Sequence, residues 1–365
     1  MKRLKVDMPF LISIFILVGA GYLIFSSASL GLLSSQPTKY ANVAFNQTFF
    51  GLFLGTIACI FTSKIDYKIY RKYAFWIYLL GVILTLCVFL PKIGVEHGGA
   101  YRWIRLGLFS FQPSEFLKIG FIIFLSAWIA SVKEMVKTFK YGFLPFVTLT
   151  LITGVILLIQ PDTDTFAITI FAGLAIYIVG GGRWKYILII AICGIIGVGV
   201  LAYTRPYIKS RITTFLNPNQ NALGSGYQIQ QSLIAIGSGG LFGRGFGQSI
   251  QKFNVLPEPI GDSIFAVASE EFGFIGAVGI ISLFIFFAFR GLKIANKVTD
   301  NFGRLMVVGI VIMIISQVFV NIGAMVGILP LSGITLPFIS HGGTALFMTL
   351  AEVGIILNIS KNQKS

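Results

Sequence analysis

The amino-acid sequence predicts an all-α polytopic membrane protein with about ten transmembrane helices. Of its 365 residues, 56% are hydrophobic and only 11% are charged, whereas a soluble chain carries about 25% charged residues. The hydrophobic residues also gather into long segments of about 20, the length that crosses a bilayer as a helix. So few charges cannot cover a water-facing surface, and the membrane class follows.

Ten segments meet this length criterion. We expect spans at residues 9–28, 45–63, 73–90, 113–131, 143–160, 165–181, 186–203, 263–289, 305–328 and 342–359. The first follows Lys2, Arg3 and Lys5 in the manner of a signal peptide. Because it is too long and has no clear small-residue cleavage site, we interpret it as an uncleaved helix. No internal repeat stands out, so residues 1–365 are interpreted as a single transmembrane domain.

The distribution of lysine and arginine predicts the orientation. With both termini in the cytoplasm, the inner connections hold 18 of the 28 cations, the outer ones hold nine, and Lys118 lies inside a helix. Positive charge marks the cytoplasmic side, so the expected topology is N-in and C-in. The net charge of +15 is spread through these short connections, which is the pattern of membrane topology and gives no indication of nucleic acid.

One outer connection is far longer than a link between two helices requires. It runs from about residue 204 to 262, between the seventh and eighth spans, and is extracellular in the expected topology. Long connections in compact domains are usually functional or disordered. This one contains the moderately apolar residues 227–236 and two glycine-rich stretches, so we expect partial burial or contact with the bilayer surface.

Acidic residues at membrane depth are the first candidates for function, because they are costly there. Glu115 and Lys118 lie three residues apart on one helix and can form an ion pair; a structural pair and the lining of a substrate cavity are both open. Asp262 precedes the eighth span, where it could cap the helix or act as a catalytic carboxylate. The three cysteines and two histidines form no metal-ligand pattern.

Eight segments of the chain match those of a known family. They are SSAS at 26–29, YRWI at 101–104, QPSEFLK at 112–118, QPD at 160–162, GSGYQ at 224–228, QSL at 231–233 leading to GSGG at 237–240, LPE at 256–258 continuing through Asp262 to EE at 270–271, and PFIS at 337–340. The chain resembles the SEDS family (shape, elongation, division and sporulation), its FtsW-like members more than its RodA-like ones. The resemblance covers nearly the whole chain.

The resemblance implies a peptidoglycan glycosyltransferase of the bacterial cytoplasmic membrane, acting at the division septum. Such proteins polymerise lipid II, an undecaprenyl diphosphate-linked disaccharide-peptide, with inversion at the sugar. Family position assigns the catalytic aspartate to Asp262, a functional pair in the central cavity to Glu115 and Lys118, and another essential acid to Asp162. The implied partners are a class B penicillin-binding protein, other divisome proteins and membrane lipids, with no nucleic acid.

Charge on the leaving diphosphate needs stabilisation by cations. Four outer arginines are available: Arg102, Arg205, Arg211 and Arg244. Headgroup contact is the alternative for Arg205 and Arg211. No resident cofactor is expected, although a divalent cation such as Mg²⁺ or Mn²⁺ is an alternative source of charge.

The chain departs from the family pattern after Pro161-Asp162, where an apolar residue, glycine and threonine are usual and Thr163-Asp164-Thr165 stand instead. Asp164 adds a negative charge close to Asp162. Three other activities compete with division polymerase: a RodA-type elongation polymerase, a lipid II flippase and a non-catalytic partner of a transpeptidase. A flippase needs polar groups across the whole bilayer, whereas most intramembrane acids lie towards the outer side, with Glu352 the main exception.

Overall fold

The computed structural model describes residues 6–363 except 92, 98–99, 107–108, 218–223 and 254, and it is mostly helical. Its α-helices are α1 (Met8–Ala28), α2 (Leu30–Ser35), α3 (Pro37–Phe45), α4 (Gly55–Lys64), α5 (Lys68–Lys72), α6 (Ala74–Leu86), α7 (Pro113–Val132), α8 (Leu144–Ile159), α9 (Thr163–Val179), α10 (Trp184–Thr204), α11 (Pro206–Leu216), α12 (Ser225–Ser238), α13 (Ile264–Lys297), α14 (Asn301–Met325) and α15 (Gly343–Ser360). Short π-helical turns (Asn46–Leu54, Phe139–Phe143) and 3₁₀ turns (Cys87–Phe89, Lys133–Lys137) extend four of them.

Each of the ten expected spans coincides with a helix. Eight helical stretches in the described part of the chain are long and apolar enough to cross a membrane, and two shorter ones, Ala74–Phe89 and Thr163–Val179, occupy the third and sixth positions. The chain is a multi-pass membrane protein. That all ten cross the bilayer stays a prediction.

The centre of the bundle is formed by α7, α9, α14 and α15. Residues on every side of α14 and α15 are buried, as expected for helices that are apolar all round and surrounded by others. In contrast, α10 exposes nearly all of its side chains, and Tyr186 is its one buried residue. The functional groups described below lie on or beside the central helices.

Both ends of the described chain lie at one end of the bundle. Asp7 accepts two hydrogen bonds from Arg290, at 2.8 and 2.9 Å, and its backbone N–H donates to Ser360 Oγ at 3.2 Å. Gln363 pairs with Val298 in an isolated β-bridge. An even number of crossings requires this arrangement. Which face of the membrane it occupies stays a prediction, and we refer to it as the inner end.

A small sheet, which the sequence analysis does not anticipate, joins α6 to α7. Three antiparallel strands, β1 (Gly94–His97), β2 (Ala100–Leu106) and β3 (Phe109–Phe111), pair in the order β1-β2-β3. Their charged and aromatic residues have no long alternating pattern, so only the pairing between neighbours defines them. The sheet fixes Arg102 on its central strand at the outer end.

The long connection between the seventh and eighth spans is largely structured. It contains α11 and α12, and Ile229, Ser232 and Ala235 of α12 are buried, which agrees with the partial burial expected for residues 227–236. The glycine-rich residues after α12 lie against a break in α13, where Gly273 has φ of 67°. Arg244 N–H donates to Glu270 O at 3.0 Å and Phe274 N–H donates to Gly240 O at 2.8 Å.

Candidate active site

Asp262 lies at the outer end, in the turn that leads into α13. Three contacts hold the backbone of this turn: Ser340 Oγ donates to Gly261 O (2.7 Å), Asn321 Nδ2 donates to Asp262 O (2.8 Å), and His341 N–H donates to the carbonyl two residues before Asp262 (2.7 Å). The PFIS segment and α14 therefore fix the position of Asp262 from two sides.

The capping interpretation of Asp262 is wrong. The N-cap of α13 is Ser263, and no side chain there accepts a hydrogen bond from the first turn. Asp262 lies one residue before the N-cap position. It belongs to the preceding turn, which begins at Glu258 and is closed by Ser263 N–H donating to Glu258 O at 3.2 Å. The Asp262 carboxylate therefore does not cap α13, which was the alternative to a catalytic role.

Three charged side chains lie within electrostatic range of the Asp262 carboxylate. Glu258, Arg211 and Asp164 all act on it electrostatically, and with Asp262 we call them the outer cluster. Arg211 Nη1 lies 2.6 Å from Asp164 Oδ2. Gly333 closes the group, since a Cβ added there would lie 3.9 Å from Asp262 Oδ2 and 4.0 Å from Arg211 Nη2. A carboxylate and a guanidinium thus border one space beside a residue that has no side chain.

Burial raises the pKa of Asp262 from 3.8 to about 7, and repulsion from Glu258 acts in the same direction. Arg211 opposes the rise, and Asp164 adds to it. A carboxyl group with a pKa near neutrality can accept a proton during a reaction and release it again. This is the property that a general base needs, and it comes first from the burial of Asp262 and then from the charge of Glu258.

A second charged group lies deeper in the bundle. Lys118 Nζ is 2.9 Å from Glu115 Oε1, and their side chains are 4% and 12% exposed, so the predicted ion pair is confirmed. Lys118 also attracts Asp162 and Glu352, both of which are buried. We call these four residues the Lys118 group. Burial raises the pKa of Asp162, while Arg102 opposes the rise.

Arg102 holds the turn that carries Asp162. Its Nε donates to Gln160 O at 3.1 Å, and its Nη2 donates to Pro161 O. Because these bonds occupy two of the guanidinium donors, Arg102 positions the QPD segment at the start of α9. Asp162 Oδ2 is buried without a hydrogen-bond partner among the described residues.

The structure does not bring Arg244 or Arg205 to the outer cluster. Arg244 Nε lies 3.3 Å from Glu270 Oε1. Arg205 is exposed at the start of α11, and the described residues offer its side chain no hydrogen bond or ion pair. Of the four arginines expected to face the leaving group, Arg211 alone lies beside Asp262.

Glu270 and Glu271 belong to a buried network that anchors the loop before Asp262. Glu270 accepts from Ser249 Oγ at 2.6 Å, and Glu271 is paired with Lys252 at 2.7 Å. Ser27 of α1 joins them, since its Oγ lies 2.6 Å from both oxygens of Glu271. The SSAS and EE segments are therefore in contact, and their role here is to hold the outer loop against α1 and α13.

Three members of the site are not among the predicted site residues: Asp164, Asn321 and Gly333. Asp164 stands in the sequence as one of the outer acids and as a departure from the family pattern, whereas the structure pairs it with Arg211 and places it within electrostatic range of both Asp162 and Asp262. Asn321 had a visible signal, because an amide inside an apolar span needs a partner. Gly333 had none.

Metal binding does not fit the residues as they stand. Within the described ranges, no three histidine, cysteine, aspartate or glutamate side chains converge in a way that could hold a metal ion. The Asp164 carboxylate already forms an ion pair with Arg211. We therefore derive no step through a metal, and the divalent cation stays a prediction.

Comparison with known proteins identifies the family. The sequence model described as "Cell cycle protein", which covers FtsW, RodA and SpoVE, matches residues 8–365. The chain belongs to this family. It is 38% identical to the stage V sporulation protein E of Bacillus subtilis, over 99% of this chain and 98% of that one. It is 41% identical to a probable peptidoglycan glycosyltransferase FtsW of Geobacter metallireducens, over 85% of this chain and 83% of that one.

Two solved structures share the fold of this family member. One comes from a study of a peptidoglycan synthase complex that coordinates polymerisation and crosslinking, with a TM-score of 0.80 and 25% identity over 98% of both chains. The other is the rod shape determining protein RodA of Thermus thermophilus, with a TM-score of 0.69 and 26% identity over 99% of this chain and 98% of that one. The SEDS resemblance and the helical membrane fold are both confirmed.

Proposed function

We propose that the protein is a peptidoglycan glycosyltransferase that polymerises lipid II at the outer face of the cytoplasmic membrane during cell division. The observation that carries the proposal is the Asp262 carboxyl group, with a pKa of about 7, facing Arg211 at the outer end of the bundle. Relatives named as peptidoglycan glycosyltransferases support the reaction class. The same family includes a sporulation protein and RodA. The role in cell division, as distinct from sporulation or cell elongation, is therefore a separate part of the proposal.

In the proposed reaction, Asp262 acts as the general base. The acceptor sugar hydroxyl transfers its proton to the carboxylate as its oxygen attacks the anomeric carbon of the donor. The bond from that carbon to the lipid diphosphate breaks, and the diphosphate leaves with the electron pair. Attack and departure on opposite faces invert the sugar. One carboxylate is sufficient for this step, and Glu270 is held by the loop at Ser249.

Arg211 is the cation nearest the proposed base. Its guanidinium is neutralised by Asp164, at 2.6 Å. A diphosphate carries more negative charge than a single carboxylate and matches the guanidinium fork. We therefore infer that the leaving diphosphate competes with Asp164 for Arg211. In that case Asp164, which differs from the usual family residue, is part of the catalytic machinery.

A lipid II flippase is the second candidate. The Lys118 group motivates it, because three of its ionisable side chains are buried and the fourth, Glu115, is only 12% exposed, so charged groups lie inside the bundle as well as at its outer end. A flippase requires no base, so Asp262 would be replaceable. Polymerisation and flipping therefore make opposite predictions for Asp262.

We also propose that activity depends on a class B penicillin-binding protein at the septum. The solved synthase complex, one chain of which shares this fold, supports this partner. Purified protein should form few glycan chains alone and many with its cognate transpeptidase. Full activity of the isolated protein, unchanged by the partner, would count against the dependence.

The deciding experiment compares Asp262→Asn with Glu96→Gln in reconstituted membranes containing lipid II and the partner. Both variants remove one outer carboxylate, but Glu96 is exposed and its carboxylate accepts a hydrogen bond from Tyr101 OH at 3.0 Å. We expect Asp262→Asn to lose about 10²–10⁴-fold in rate, as for removal of a general base, and Glu96→Gln to polymerise normally. Wild-type chain formation by Asp262→Asn at equal protein level would exclude the proposed chemistry. Lipid II translocation by that variant would then favour the flippase.

A further inference from the structure

A cavity of about 570 Å³ lies at the inner end of the bundle, away from both charged groups described above. Four elements line it: α5, the end of α7 with its 3₁₀ turn, the end of α9 and the start of α14. Arg304 of α14 is on its wall, and Asn321, which holds Asp262, is 17 residues further along the same helix. At 1.5 Å per residue this separates the cavity from the outer cluster by roughly 25 Å.

The lining carries an excess of positive charge. It contains four cations, Arg71, Lys133, Lys137 and Arg304, and two acids, Glu134 and Asp300. Both acids have a contact within the protein, and each keeps its negative charge. Glu134 pairs with Lys137 at 2.5 Å, and Asp300 caps α14 by accepting from Gly303 N–H at 3.1 Å.

The four cations and two acids leave the lining with a net positive charge, and three of its cations are not in ion pairs with any described residue. Across the described ranges, the side chains of Arg71, Lys133 and Arg304 make no ion pair with the protein. They come from three separate elements that converge on one space. The rule that places cations on the cytoplasmic side explains their presence at this end, but it does not require them to share a cavity.

The backbone at Lys133 adds an independent observation. This residue ends α7 with φ of 48° and ψ of −124°, a region that side chains other than glycine rarely occupy. Strained positions of this kind persist where function or the surrounding fold requires them. Glycine would relieve the strain, yet a lysine stands here and carries its charge to the cavity.

We propose that this cavity binds a phosphate group. Arginine and lysine side chains are the usual protein ligands of phosphate, arginine through paired hydrogen bonds and lysine as a point charge. A volume of 570 Å³ is within the range of small-molecule sites and accommodates more than a bare ion. The phosphate can belong to the headgroup of an anionic phospholipid in the inner leaflet or to a free phosphate compound in solution.

The test uses the full chain and two triple variants of equal charge. The cavity variant is Arg71→Gln, Lys133→Gln, Arg304→Gln. The control variant, Lys68→Gln, Lys293→Gln, Lys297→Gln, removes three cations from the same end but outside the lining. Retained phosphatidylglycerol is counted by native mass spectrometry after extraction from bilayers of phosphatidylcholine and phosphatidylglycerol. In a second arm, inorganic phosphate is compared with chloride at equal ionic strength for its effect on thermal unfolding in detergent.

We expect the cavity variant to lose at least about tenfold in apparent affinity, since each charged hydrogen bond is worth about one decade or more, and the control to match the wild type. Retention of phosphatidylglycerol without a phosphate effect identifies the lipid headgroup as the source, and the reverse result identifies free phosphate. An unaffected cavity variant, an equal loss in both variants, or no binding in either arm would overturn the proposal.

A single variant protects the test against misfolding. Lys133→Gly removes one cavity cation and suits a positive φ, so its unliganded melting temperature should equal or exceed that of the wild type. Its phosphate or phosphatidylglycerol binding should nevertheless fall several-fold. Binding that is unchanged in this folded variant would also overturn the proposal.

Discussion

At Asp262, burial and two neighbouring carboxylates raise the pKa of the carboxyl group, while one guanidinium lowers it. Burial and Glu258 raise its pKa to about 7, and Arg211 limits the rise. The carboxylate form, which alone can accept a proton, therefore becomes the main form only above neutrality. Because Arg211 is itself neutralised by Asp164, the pKa depends on both partners of that ion pair.

We predict that the rate of polymerisation rises with pH through about 7 and then levels off. Glu96→Gln should show the same profile. Arg211→Gln should shift its midpoint upward, since the cation that favours the carboxylate is removed. The measurement is initial rate against pH with lipid II held below saturation. A flat profile between pH 5.5 and 8.5 would contradict a titrating base.

The same pKa has a consequence for stability. The folded pKa of Asp262 exceeds its ordinary value of 3.8, so the folded state binds this proton more tightly than the unfolded state. By linkage, the contribution of Asp262 to stability is lost as pH rises from about 4 to about 7. Asp262→Asn should unfold at a higher temperature than the wild type at pH 8 and show a smaller difference at low pH, which scanning fluorimetry can measure.

Glu115 and Lys118 form a second charged pair at the residue scale, which can either hold the helices together or contact substrate. We predict that Glu115→Ala lowers polymerisation and also leaves Lys118 as an unpaired buried cation, which can cost about 3–5 kcal/mol. The double variant Glu115→Gln, Lys118→Met separates the two effects. A stable double variant that remains inactive supports a substrate contact, whereas full activity would make the pair structural.

At the scale of elements, the outer loop packs against the break in α13, and this packing holds the loop that leads to the active-site turn. Because residues 239 and 243 are glycines, the loop backbone can pack closely against the backbone of Ser269 and Glu271. The Lys252–Glu271 ion pair, at 2.7 Å, holds the part of the loop that comes just before Asp262. Both side chains are almost completely buried. The loop that ends at Asp262 is therefore anchored before the catalytic turn begins.

We predict that Glu271→Gln lowers both stability and activity, because it leaves Lys252 buried without a counter-charge. The expected loss of stability is about 3–5 kcal/mol. Adding Lys252→Met should recover most of it. Thermal unfolding in detergent, with polymerisation measured at the same time, checks both effects. No recovery in the double variant would show that the hydrogen bonds of Glu271 to Ser27 matter more than its charge.

The elements themselves were largely predictable, since long apolar segments need no partner to be recognised. Each of the ten expected segments has a helix, while β1 to β3 were not anticipated because short strands are defined by pairing across the chain. The same limit applied to the site. Arg102 was expected to face substrate, but it bonds to residues 58 and 59 positions away. Such contacts depend on packing and leave no local pattern.

At the scale of the whole molecule, the outer cluster and the basic cavity occupy opposite ends of the bundle. The N-in and C-in topology predicts that the outer cluster faces away from the cytoplasm. Cysteine labelling tests it in a variant whose native Cys59, Cys87 and Cys193 are alanine. We expect an impermeant reagent added outside cells to label Gln220→Cys, in a segment outside the described residues, and to leave Lys68→Cys unlabelled. The reverse pattern would invert the topology.

The contact between Ser27 and Glu271 spans 244 positions of the chain. During synthesis at about 5–20 residues per second, the first helix therefore emerges roughly 12–50 s before the carboxylate that it binds. The interval between the synthesis of Asp7 and that of its partners Arg290 and Ser360 is longer still. The outer-loop contact forms only after α13 has been made, and the inner contact with Ser360 only after α15. Translation that stops early therefore leaves α1 in the membrane without its partners and the site around Asp262 unassembled.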